Sequence, residues 1–162
     1  MARFTVAGDV AAPVERVWAR IIDWPAHGRW VPLTTVRVTS ARPDGVGAGF
    51  LARTGIGPLG FDDPMQVVEW VPPEAGGAGY VRVQKHGRLV LGWAGFEVAP
   101  GPNGGSRVEW TEDVEVAPVR LTRPFDRLIT IGGRIGFQRA IRAMAQEIEQ
   151  EIEQEGRADG SR

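Results

Sequence analysis

Residues 124–153, PFDRLITIGGRIGFQRAIRAMAQEIEQEIE, carry one long helical pattern, and what precedes them decides how it is used. Phe125, Leu128, Ile129, Ile135, Ile141, Met144, Ala145, Ile148 and Ile152 trace an apolar stripe, as expected of a helix lying on a core. Pro118 and Pro124 stand ahead of it. Gly132, Gly133 and Gly136 interrupt the middle at about 1 kcal/mol each against Ala, so the backbone there bends or approaches something closely. Tight packing on a sheet is the first candidate and a ligand the second. Ahead of the helix, from Val31 to Val116, the chain is an almost uninterrupted run of strand-like segments. One helix laid over one face of a curved antiparallel sheet leaves a space between the layers, where a small apolar molecule fits.

Reading outward, Phe4, Val6 and Val10 predict a first strand, and Pro13 with Glu15 opens a helix. Its apolar face is Val14, Val17, Trp18, Ile21 and Ile22, and Asp23-Trp24-Pro25 stops it. A short irregular or helical turn through His27, Gly28 and Trp30 follows. Val36 and Val38 then alternate with polar neighbours up to the Pro43-Asp44-Gly45 turn. Gly45, Gly47 and Gly49 resemble a phosphate loop only superficially. A strand, Phe50-Leu51-Ala52-Arg53, follows them where a nucleotide site needs a helix, so they read as a hairpin. Met65–Val71, Gly79–Lys85, Leu89–Val98 and Arg107–Val116 complete an antiparallel meander, separated by connections such as Pro72-Pro73 and residues 101–105. No internal repeat and no long linker divides the chain, so residues 1–155 read as one domain and 156–162 as a disordered tail.

The chain has 162 residues and no Cys, which removes disulfides, thiolate metal sites and a Cys nucleophile and makes a reducing cytoplasm the default expectation. The first ten residues read as a strand, not a signal peptide, and no apolar run is long enough for a membrane span, so a soluble protein is expected. A net charge of -1 offers no general attraction to nucleic acid. The charges are nonetheless sorted along the C-terminal helix. Arg120, Arg123, Arg127, Arg134, Arg139 and Arg142 precede Glu147, Glu149, Glu151, Glu153 and Glu155, a pattern read as a solvated face. Carboxylates at a helix C-terminus oppose its dipole, so the last turn should fray unless Arg side chains or a partner subunit face it, and a homodimer stays open. Lys85 is the sole Lys beside 18 Arg and reads as composition bias.

Four features together resemble the SRPBCC superfamily, also called START-like or helix-grip proteins, and especially its bacterial polyketide cyclase/dehydrase members. They are Ala12-Pro13-Val14-Glu15-Arg16-Val17-Trp18 opening the first helix, Asp23-Trp24-Pro25 after it, Gly104-Gly105-Ser106-Arg107-Val108-Glu109-Trp110 starting the last strand, and the long terminal helix. The resemblance covers nearly the whole chain. It implies an α+β helix-grip fold, in which a curved antiparallel sheet of six or seven strands wraps one long C-terminal helix, with one or two short helices after the first strand. It also implies a small hydrophobic ligand, aromatic, lipid-like or polyketide-like, and leaves its identity open. No motif here receives the pocket groups of aromatase/cyclase members residue by residue.

Strand alternation selects the cavity wall. Val108, Trp110, Glu112, Val114 and Val116 share one face, which should be the inner one. Glu112 is then a carboxylate among inward residues, needing a partner or a raised pKa. Reaching the rim or pairing with an Arg such as Arg53 or Arg82 is the favoured expectation, and orienting a ligand hydroxyl or moving a proton the functional one. Between Tyr80 and His86, Val81, Val83 and Lys85 share the face expected inward, leaving His86 near solvent. His86 and His27, the latter placed near the cavity mouth, lack a partner at a motif spacing, and two unpaired His make no metal site. Of the six Trp, Trp30 and Trp110 are placed nearest a ligand, the rest in the core. The ligand-binding candidates are Trp30, Arg53, Met65, Val67, Phe96, Trp110, Glu112 and Ile135; no catalytic residue, metal or cofactor is assigned. A binding module for a small hydrophobic molecule is the leading reading. A polyketide cyclase or aromatase using Glu112, His86 or Arg82, and an interaction protein using the long helix, are the rivals.

Overall fold

Strand β1 (Ala2–Val10) begins by burying Phe4 and Val6 and exposing Arg3 and Thr5, the alternation of a sheet with one dry face. A computed structural model describes residues 2–159, apart from the side chains at 120, 121 and 123. Helix α1 (Val14–Ile21) buries Val14, Val17, Trp18 and Ile21, the predicted apolar face. One turn of 3-10 helix over Trp24–Ala26 leads into the short α2 (His27–Trp30). Six strands follow: β2 (Thr34–Val38), β3 (Gly49–Thr54), β4 (Phe61–Val71), β5 (Gly79–His86), β6 (Val90–Pro100) and β7 (Ser106–Val116). After the short α3 (Val119–Thr122), α4 (Asp126–Asp159) ends the described chain. All seven strands form one antiparallel sheet in the order β1-β7-β6-β5-β4-β3-β2, the expected meander with β1 added beside β7. The glycines at 45 and 47 adopt positive φ in the β2–β3 connection, as the hairpin reading requires. A register shift between Val67 and Glu69 is the kind of irregularity that bends a strand and curls the sheet.

The concave face holds the core. Ile141, Met144 and Ile148 of α4 are fully buried, and truncating any one of them to Ala would cost about 2–5 kcal/mol. Gly8 gives β1 the room that Ile141 needs, and Gly133 lies where a Cβ would stand 2.7 Å from the Phe4 ring. The predicted stripe along α4 is therefore two things. From Phe137 onward it packs, but Phe125, Leu128 and Ile135 ahead of it are half or more exposed, together with Ile131. At 100° per residue, Leu128, Ile131 and Ile135 fall on the side of the helix opposite the Phe4-facing Gly133, which periodicity alone did not separate.

The acidic end of α4 is held. Glu155 pairs with Arg16, Glu151 and Glu147 with Arg20, Glu147 also with Arg29, and Glu149 accepts from the Ala11 amide. These charges join α4 to α1 and α2, and the helix continues to Asp159, past the boundary at 155 expected for a disordered tail. The arginine ladder supplies the physical reason, since it offsets the unfavourable dipole. Residues 160–162 lie outside the described chain. Among the described residues, no helix is long and apolar enough to cross a membrane.

Candidate functional site

Between the sheet and α4 lies a cavity of about 100 Å³. Its wall is mainly aromatic. Trp24 stacks on Phe50 at 4.3 Å between ring centroids, Phe96 lies 4.6 Å from Trp110, and Trp110 meets Phe137 of α4 edge-on at 4.4 Å. Such offset and edge contacts keep a wall of rings rigid.

One end of the cavity is polar, and the sheet register explains how three charged groups meet there. Lys85 on β5 stands opposite Gly92 of β6, and Glu112 on β7 stands opposite Ala94 of β6. Two small residues on the intervening strand let the long side chains approach over it. Asp63 and Met65 come from β4, Met65 being directly paired with Lys85. The Lys85 ammonium donates to Asp63 Oδ2 at 2.9 Å and sits 3.7 Å from Glu112 Oε2 and 3.6 Å from Met65 Sδ. Trp110 Nε1 donates to Glu112 Oε1 at 3.0 Å. Asp63, Lys85 and Glu112 are 7%, 9% and 3% exposed, so the chain's single lysine is also its buried one.

Electrostatics follow from this burial. Desolvation alone would lower the Lys85 pKa, but Glu112 and Asp63 outweigh it and raise it, so the side chain is an ammonium. Burial raises the Glu112 pKa, against the opposing pull of Lys85 and the Trp110 hydrogen bond. Two carboxyl groups therefore share one cation. Asp63 Oδ1 is buried with no hydrogen-bond partner.

His27 closes the other side of the aromatic wall, 5.6 Å from the Phe96 and Trp110 rings. Burial pushes its pKa down to about 4, with the Ile21 carbonyl and Asp23 opposing, so the ring is neutral at pH 7. Its Nε2 lies 2.8 Å from the Ile21 carbonyl, which can only accept, so Nε2 carries the hydrogen and Nδ1 keeps its lone pair.

Of the eight candidates, Met65, Phe96, Trp110 and Glu112 line the cavity. Trp30 and Val67 are buried in the core beside it, with Trp30 Nε1 donating to Glu147. Arg53 points outward and pairs with Asp62, and Ile135 is half exposed on the outer side of α4. The partner of Glu112 is Lys85, not Arg53 or Arg82; Arg82 faces Glu69 on the outer surface, and His86 is exposed. His27, Lys85, Asp63 and Phe137 were missed as site residues. Lys85 had a usable signal, since it shares the inward parity of Val81 and Val83. Asp63 had a weaker one, two residues from Met65. Among the described residues, no group of three metal-ligating side chains converges.

The sequence model of the family described as polyketide cyclase / dehydrase and lipid transport matches residues 1–153. No curated protein sequence matches the chain. Among solved structures, a Thermobifida fusca protein is 24% identical with a TM-score of 0.64, covering 93% of this chain and 95% of its own. A START superfamily protein from Mycobacterium smegmatis is 16% identical with a TM-score of 0.67, covering 93% and 99%. The Zhui aromatase/cyclase from Streptomyces sp. R1128 is 15% identical with a TM-score of 0.64, covering 93% and 94%. At these identities the likeness is one of fold, the helix-grip arrangement read from the sequence.

Proposed function

Because the chain belongs to the polyketide cyclase/dehydrase and lipid transport family, we propose that it binds one small, largely apolar molecule in the cavity between the sheet and α4. The carrying observation is the cavity itself: an aromatic wall with polar groups gathered at one end, the usual build of a small-molecule site. Its size sets a scale. An apolar cavity of about 150 Å³ takes benzene, so a volume of about 100 Å³ takes at most a single ring with some give in the lining, and a longer acyl or polyketide chain requires Phe137 and α4 to move aside. Native mass spectrometry of freshly purified protein, followed by Trp-emission titration with single-ring aromatics, tests this reading. A released small-molecule mass, or a saturable emission change from the Trp24 and Trp110 wall, is expected. A bare protein mass together with flat titrations would reject it.

A second reading has its own support. A carboxyl group whose pKa is raised by burial, standing beside an ammonium at the edge of an apolar space, is suited to general acid catalysis of the kind a cyclase or aromatase needs. Glu112→Gln separates the two: turnover collapses if the carboxyl handles protons, whereas affinity alone changes if it orients a ligand.

A further inference from the structure

The polar groups around the cavity are unequal in what they still lack. Each donor-bearing side chain around the cavity is already engaged with an acceptor. Lys85 gives to Asp63 Oδ2 and is hemmed by Met65 Sδ and Glu112 Oε2. Trp110 gives to Glu112, Trp24 to the Pro43 carbonyl, and the Thr34 and Thr54 hydroxyls bond each other at 2.8 Å, with the Pro32 carbonyl also within reach of Thr34. The open position is an acceptor. Asp63 Oδ1 is buried and has no hydrogen-bond partner. Only Glu112 is two-sided, giving a hydrogen bond when protonated and taking one when ionised. A buried acceptor without a donor is costly, so a molecule that brings a donor gains more here than one that brings a further acceptor.

Resting on the ligand-binding reading above, we infer that the cavity selects a single-ring compound carrying a hydrogen-bond donor, of the phenol class, and turns away carboxylates. The hydroxyl lies at the Asp63–Lys85–Glu112 end and gives its hydrogen to Asp63 Oδ1 or to Glu112, while the ring fills the space among Phe50, Phe96 and Trp110. A ligand carboxylate meets a place where two carboxyl groups already share one ammonium, and it brings no hydrogen for the open acceptor. A fatty-acid headgroup and the carbonyls of a poly-ketone chain are disfavoured for the same reason.

The test titrates the full-length protein at pH 7 with three ring compounds of similar size, phenol, toluene and benzoate, following Trp emission and amide chemical shifts. Toluene is the more hydrophobic, so an apolar hole prefers it to phenol. The inference requires the opposite order, with phenol tighter than toluene by about tenfold, the scale of one hydrogen bond to a charged acceptor, and benzoate weakest. Asp63→Asn should erode phenol affinity several-fold and leave toluene unchanged, and Glu112→Gln provides a second variant if the first folds poorly. Toluene binding as well as or better than phenol overturns the donor requirement while leaving an apolar binding cavity standing. Tightest binding by benzoate overturns it too, because Lys85 would then be an available cation. If none of the three binds, the cavity reading falls together with this one.

Discussion

Acidification offers the sharpest check on the site, because His27 is held neutral by its surroundings. Its folded pKa of about 4 lies below the ordinary 6.5, so between these values the unfolded chain binds a proton that the folded one refuses. Stability contributed by the neutral ring is therefore present above pH 6.5 and is lost as pH falls toward 4. Each pH unit in that window is worth about 1.4 kcal/mol, and integrating the two titrations from pH 7 to 4.5 gives a loss of about 2.5 kcal/mol. Glu112 works in the opposite sense: its raised pKa makes its contribution present below the unfolded value and lost as pH rises. Glu147 and Glu155, whose pKa values are lowered by their Arg partners, add losses on the acid side. The effect of His27 must accordingly be read as a difference. His27→Gln keeps an amide able to donate to the Ile21 carbonyl and removes the titration, while every other group cancels to first order. Urea unfolding of both proteins at pH 7, 6, 5 and 4.5 should show the wild type losing about 2.5 kcal/mol more than the variant over that range. Parallel curves, agreeing within about 0.5 kcal/mol at every pH, would refute a buried neutral imidazole at this position.

Lys85→Met leaves two acidic side chains in an apolar wall without their cation and should cost about 3–5 kcal/mol in denaturant unfolding; adding Asp63→Asn should recover much of it, and no recovery would argue against the observed pair. Nothing stands within 4 Å of a Cβ placed on Gly132 or Gly136, so Ala at either should raise stability by up to about 1 kcal/mol, whereas Gly133→Ala, meeting the Phe4 ring at 2.7 Å, should lower it, as thermal unfolding of the three single variants will show.

Particular residues show why some of this was legible in sequence and some was not. Val14, Val17, Trp18 and Ile21 announce their helix because the apolar period matches the helical repeat, and the structure buries all four. The β7 alternation put Val108, Trp110 and Glu112 on the inner face for the same local reason, and they are there. The partner of Glu112 was different. Alternation along β5 puts Lys85 rather than Arg82 on the inner face, but only the register across β6, with Gly92 and Ala94 between, brings Lys85 within 3.7 Å. His27 looked like a loop residue at the cavity mouth, and its burial depends on Phe96 and Trp110 arriving from strands some seventy or more residues later.

By itself the sequence determined the order and kind of elements, the one-helix-over-one-sheet architecture, and the set of side chains facing inward, because periods of 3.6 and 2 are properties of a local backbone. Tertiary structure alone decided which inward groups meet, how small the remaining space is, and that Leu128, Ile131 and Ile135 lie on the outer side of α4. Those outcomes depend on strand order, register and curvature, which couple residues far apart in the chain, and no local pattern encodes a distance between Asp63, Lys85 and Glu112.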